Sequence, residues 1–196
     1  MTEAAMAHVD LDELGPLENL VGTFKGNIGD DIAPSDDRGT ENNKFHEVIV
    51  FTHILPAVNH EQILYGLRYH QQVFRHNEEF PFHDQVGFWH WDPQAKLVMQ
   101  SVTIARAQVA LAGGRAEPDA KSFKLRAELG SKTFGIASNP FLDKEFQTVE
   151  YEIQIDFLDD DTFSYDQVTK IQIKGQPKLF EHRDKNTLRR VITESD

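Results

Sequence analysis

Between Glu145 and Phe157 apolar and polar side chains alternate: Val149, Tyr151, Ile153, Ile155 and Phe157 on one parity, Thr148, Glu150, Glu152, Gln154 and Asp156 on the other. That period of two suits a half-buried β-strand and cannot give an α-helix an apolar stripe. The pattern returns after the Asp159–Asp161 turn, where Phe163, Tyr165, Ile171 and Ile173 share a face over Thr162 to Lys174. Gln167 and Thr169 sit in the middle of that face, which predicts an interior that is partly polar. Ile63, Tyr65, Leu67, Tyr69 and Val73 form a third such face, and Phe123, Leu125, Ala127 and Leu129 a fourth. Further strands are predicted at Leu20–Ile28, Lys44–Ile54, Gln85–Trp91, Lys96–Ile104, Gln108–Ala112 and Asn186–Ile192, with turns at Asp92-Pro93, Gly113-Gly114 and Gly175-Gln176-Pro177.

About ten strands with one apolar face, and no second helical layer, argue for an all-β fold: an antiparallel up-and-down barrel of the lipocalin or fatty-acid-binding-protein type. Closing the sheet removes its edges, and ten strands leave more interior than eight, so a ligand cavity is expected. Asp12 to Leu20 suits a short N-terminal helix, with Asp12 as N-cap and Pro16 in the first turn. Residues 1–10 read as a disordered start, and residues 11–196 as a single barrel domain. The long connections Gly29–Asn43 and Gly130–Lys144 are expected to frame the mouth.

A chain of 196 residues with 39% hydrophobic and 27% charged residues suits a soluble globular protein. The 20 basic against 32 acidic side chains leave a net charge of −12, which disfavours binding to nucleic acid or to an anionic membrane surface. Within the basic cluster Arg183, Lys185, Arg189 and Arg190 a strand would present a solvated face rather than a phosphate site. The first residues have neither the basic region nor the apolar core of a secretory signal. The absence of cysteine excludes disulfides, thiolate metal sites and covalent haem attachment, and fits the cytoplasm.

The nine histidines make a metal site the first chemistry to test. A strand offers two ligands on one face at i and i+2, yet the sequence has no HxH and no HExxH. His46/His53 and His83/His90 are each seven apart, on opposite faces of a continuous strand. Gly113-Gly114 has no GK[ST] after it and reads as a hairpin turn rather than a phosphate loop. There is no GxSxG for a serine hydrolase. The aspartates at 30–31, 36–37 and 159–161 lack EF-hand spacing and read as solvated loops. Trp89 and Trp91 share a face and read as wall or core residues ahead of an aromatic ligand platform, and His83 reads as a structural hydrogen bonder ahead of a second pocket residue.

Several stretches resemble the nitrobindin family, the haem-binding barrel also found as the C-terminal domain of a THAP-domain protein. Leu17 followed by Val21-Gly22-Thr23-Phe24-Lys25-Gly26 resembles its opening strand, with Phe24 for the family's tryptophan. Phe45-His46-Glu47-Val48 resembles the next strand, and Pro81 to Phe88 the P-x-H-x-x-x-G-F segment. Leu97 to Gly113 is similar in length and spacing. Ala33-Pro34-Ser35 stands where the family has Tyr-Pro-Thr near the haem. Gln176-Pro177, His182 and Arg189-Arg190-Val191 resemble the segment carrying the axial histidine, with slightly longer spacings on both sides of His182.

The resemblance implies a non-covalent b-type haem whose iron is ligated by His182, with Ser35, Met99 and Ile104 lining the pocket. Asp184 is the nearby candidate to hold the second ring nitrogen, or equally to cap an Asp-Lys-Asn turn that His182 would precede. It further implies that ferric haem binds nitric oxide and isomerises peroxynitrite to nitrate. Against this enzyme stands a carrier of a fatty acid or other small apolar metabolite, which an inward Arg68 or Arg106 would favour by pairing with an anionic head group. A domain without a retained ligand, acting as an interaction module, is the third reading.

Overall fold

The computed structural model describes residues 11–76 and 78–192. The expected disordered start and the Asp12 side chain read as an N-cap lie outside the described residues. The predicted short helix is a 3-10 helix, Leu11–Leu20, kinked at Gly15, whose φ of 54° is non-helical. Eleven strands follow among the described residues: β1 (Gly22–Pro34), β2 (Thr40–Asn59), β3 (Gln62–Arg75), β4 (His83–Asp92), β5 (Leu97–Ile104), β6 (Gln108–Arg115), β7 (Ser122–Leu129), β8 (Gly135–Ser138), β9 (Phe146–Asp159), β10 (Thr162–Ile173) and β11 (Phe180–Arg190). A short helix, α1 (Pro140–Glu145), joins β8 to β9. Its N-cap is Asn139, whose side-chain oxygen accepts from the backbone N–H groups of Phe141 and Leu142.

The strands close into one barrel in the order β1-β11-β10-β9-β7-β8-β6-β5-β4-β3-β2. One more strand is present than about ten, because the connection after Gly130 is not all loop. β6 and β7 pair only at Gly113↔Arg126, and β8 fills the gap where they diverge. β8 runs antiparallel to β6 and parallel to β7, so the barrel is not wholly antiparallel. Gly113 and Gly114 are therefore not a hairpin turn. They lie inside β6, where a side chain on either would strike Phe134 or the Lys124 carbonyl.

Two bulges reset which residues face inward. The β1–β2 register shifts between Gly26 and Gly29, so Phe24 and Asp31 both point into the barrel despite opposite parity. In β9 a shift beside Val149 brings Thr148, rather than Val149, onto the inner face. β11 begins at Phe180, so the Glu181–Asn186 stretch is strand and not a turn.

The barrel interior is tiered. At one end Leu14, Leu17 and Leu20 of the 3-10 helix are fully buried and pack with Phe24 and Trp91 in the hydrophobic core. Trp89 joins the same core, in edge contact with Tyr69 and Phe123. Arg190 ties this end shut, with its guanidinium over the Phe24 ring at 4.7 Å and a bond to the Asn19 carbonyl at 3.0 Å. Of the predicted basic cluster, only Arg183, Lys185 and Arg189 are exposed. The opposite end is open and framed by the β1–β2 turn and by α1.

Candidate functional site

Above the core, a belt of polar side chains crosses the barrel. Glu47 on β2 is buried, and its carboxylate accepts from Gln71 Nε2 at 2.6 Å, Asn186 Nδ2 at 2.8 Å and Tyr165 OH at 2.9 Å. Tyr69 OH accepts from Gln85 Nε2 at 2.7 Å. Tyr151 OH lies 2.9 Å from Gln100 Oε1 and 3.1 Å from Gln167 Oε1. Burial pushes the Glu47 carboxyl up to about 7, against the lowering effect of its three donors. Burial likewise raises the Tyr151 and Tyr165 hydroxyls far above the usual phenol value. The belt divides the packed end from the open one, and Gln167 and Thr169 belong to its upper rim, as the interrupted apolar face of β10 predicts.

Between belt and mouth lies a cavity of about 500 Å³. Its apolar wall includes Phe45, Val73, Val102, Ile104, Ile136 and Ile171. Phe82, Phe141 and Phe146 border it, with Arg75 and Arg106 among its charged lining. Of the residues singled out in the sequence, His182, Ser35 and Ile104 all border this space. The Ser35 hydroxyl is spent on Asp37 at 2.5 Å in the β1–β2 turn. His83 borders the cavity too, 3.3 Å from Gln85 Oε1. Met99 does not. Val98, Gln100 and Val102 are the buried residues of β5, so alternation turns Met99 to the outer face, opposite Gly113 and His90. Arg68 is also exposed on the outside, and Arg106, exposed in the β5–β6 turn, borders the cavity.

His182 is held by two aspartates. Its Nε2 lies 3.0 Å from Asp31 Oδ1 and 3.4 Å from Asp184 Oδ1. Asp184 is two residues away on the same inward face of β11, and Asp31 stands directly across on β1 in the Asp31↔Asp184 pair. Asn43 donates to Asp31 Oδ2 at 2.9 Å, and Gln167 to Asp184 Oδ2 at 3.1 Å. Burial opposes charge on the imidazole, but Asp184 and Asp31 overrule it and raise its pKa to about 10. Burial opposes charge on Asp31 as well, and the bonds from His182 and Asn43 overrule it and hold the carboxyl low. Among the described residues, no other group of three His, Asp or Glu side chains converges so closely. Asp31, expected in a solvated loop, is instead a strand residue of β1. Its side chain is only 3% exposed, because the β1 bulge turns it inward. The His182-Arg183-Asp184 spacing was the available signal, since i and i+2 on a strand share a face.

Residues 13–190 match the family model described as THAP4-like, heme-binding beta-barrel domain. No curated protein sequence matches the chain. Among solved structures, the crystal structure of Rv2717c from M. tuberculosis is similar, with 20% identity and a TM-score of 0.65 over 93% of this chain and 97% of that one. The S-type phycobiliprotein lyase CPES from Guillardia theta is similar at 11% identity and a TM-score of 0.53, over 99% of each chain. At these identities the two structures share the fold of this chain.

Proposed function

The chain belongs to the THAP4-like haem-binding β-barrel domain family, and from that premise we propose that its cavity holds a b-type haem ligated through His182, which binds nitric oxide and isomerises peroxynitrite to nitrate. The observation that carries this reading is an imidazole held by carboxylates on the wall of a largely apolar cavity. The residues fit the group. A space of about 500 Å³ is of the size used for small-molecule and cofactor sites. Val102, Ile104, Ile136 and Ile171 suit a flat apolar macrocycle, and Arg106 at the rim suits one of its carboxylates, while Arg75 is shared with Glu41 and Glu78.

Metal-ligating histidines generally use one ring nitrogen for the metal and the other for a carboxylate, which fixes the ring and raises its basicity. Here Asp31 and Asp184 take Nε2, and loss of the imidazolium's second proton would leave Nδ1 for iron. Bound ferric haem would supply the Lewis acid at which nitric oxide binds and peroxynitrite rearranges. The chain's own part is to orient the imidazole and to keep the apolar walls around the open side dry. No protein acid or base is invoked.

The second reading, a carrier of a fatty acid or similar apolar carboxylate, is favoured by Arg106, an exposed cation of the β5–β6 turn that borders the cavity. Haemin titration followed at the Soret band separates the two. The wild type is expected to give a saturable, shifted band at one haem per chain. His182→Gln keeps a hydrogen-bond donor for Asp31 but removes the imidazole, and is expected to lose that band. Equal weak spectra from both proteins would reject haem ligation by His182, and displacement of a fluorescent fatty acid would then support the carrier.

A further inference from the structure

We propose that Asp31, His182 and Asp184 form a binding site for a divalent first-row transition-metal ion on the wall of the cavity. The site shares His182 with the haem reading but uses its Nε2, the ring nitrogen that faces the two carboxylates.

Sheet register supplies the first argument. Asp31 and Asp184 are directly paired across β1 and β11, both facing inward. Like charges directly opposite on one face of a sheet repel, and burial strengthens the repulsion. A pairing of this kind needs a positive charge between the two. The imidazole is their only ion-pair partner among the described residues, one cation for two carboxylates. Glu47 places a further carboxyl group near Asp184, in the belt below. Arg75 and Arg106, the basic residues of the same cavity, make no ion pair with Asp31 or Asp184.

Donor geometry supplies the second. First-row metal ions hold imidazole nitrogen and carboxylate oxygen at ~2.1 Å, so neighbouring donors lie ~3.0 Å apart at right angles and ~3.4 Å apart at the tetrahedral angle. The separations from Nε2 to the two Oδ1 atoms are 3.0 and 3.4 Å. A single Nε2 proton serves only the nearer of them as a good hydrogen bond. A divalent cation that displaces the Nε2 proton to solvent serves both oxygens and the nitrogen together. The remaining oxygens are already fixed, Asp31 Oδ2 by Asn43 and Asp184 Oδ2 by Gln167, so the carboxylates are oriented before any ion arrives. Two carboxylates and one imidazole suit Mn(II), Fe(II), Co(II) or Zn(II), and three protein ligands leave positions open toward the cavity for water or a small ligand.

Mn(II) is the probe, added to the chelator-treated chain and followed by loss of the free-ion electron paramagnetic resonance signal. Co(II) absorption serves as the second readout. The expected result is one saturable site per chain whose affinity falls at least tenfold in Asp184→Asn and in His182→Gln. Asp160→Asn, a change in the solvated turn between β9 and β10, is expected to leave it unaltered. Asp184→Asn retains an oxygen for the Gln167 bond, so its melting temperature without metal should stay near that of the wild type. Unsaturable binding, or equal affinity in all these chains, overturns the proposal. Haem binding is read separately in Asp184→Asn, which keeps the imidazole: loss of Mn(II) with the Soret band retained supports the cation site, whereas loss of the Soret band with Mn(II) binding intact in that variant overturns it.

Discussion

Glu47 places a carboxyl group in the middle of the barrel at 1% exposure, and its three donors offset the cost of burying it only in part. The consequence is a pKa raised from 4.5 to about 7. A raised carboxyl pKa means that the folded chain holds a proton which the unfolded chain has released between those two values. Stability attributable to Glu47 therefore falls as pH rises from 4.5 to about 7 and is flat above that. The loss across that window is roughly 3 kcal/mol. Glu47→Gln cannot titrate, and Gln71 can turn its amide to meet the new one. Urea unfolding of both proteins at pH 5 and pH 8 should show the wild type losing about that amount relative to the variant. Parallel behaviour at the two pH values would mean that Glu47 ionises normally in the fold.

At the scale of strands, closure depends on β6 meeting β7 at one point before β8 enters between them. Gly114 makes that approach possible: a Cβ there would lie 1.9 Å from the Lys124 carbonyl oxygen, a backbone atom that cannot swing aside. Gly114→Ala should destabilise the chain by about 3 kcal/mol, measured as a lowered urea midpoint with an unchanged slope. A change under about 0.5 kcal/mol would show that β6 and β7 are free to separate there. The same strands show what alternation can reveal and where it fails. It identifies β9, β10 and the inward Gln167, and in β5 the parity of Val98, Val102 and Ile104 already places Met99 on the other face. It cannot register a bulge, which changes parity without changing composition, so the inward direction of Asp31 and Thr148 is not legible in it. The first part of β11 was hidden for a related reason. Glu181, Arg183 and Lys185 lie outside while His182, Asp184 and Asn186 lie inside, so both faces are polar and no apolar period marks the strand.

Over the whole molecule, the two ends of the barrel carry different duties, and the polar belt separates them. Leu14, Leu17 and Leu20 seal the packed end as an extension of the core, while His182, Asp31 and Asp184 stand beyond Glu47, Tyr151 and Gln167. Mutations without shared partners add independently, so damage to the seal should stay at its own end. Leu17 is fully buried, and Leu17→Ala should cost about 2–5 kcal/mol, read by urea unfolding. Below its melting temperature the same variant should bind haemin, or Mn(II), within twofold of the wild type. A drop in ligand affinity that tracks the loss of stability would sink this division. It would mean that the belt transmits packing from the sealed end to the cavity, and that His182 owes its position to the core as much as to its two aspartates.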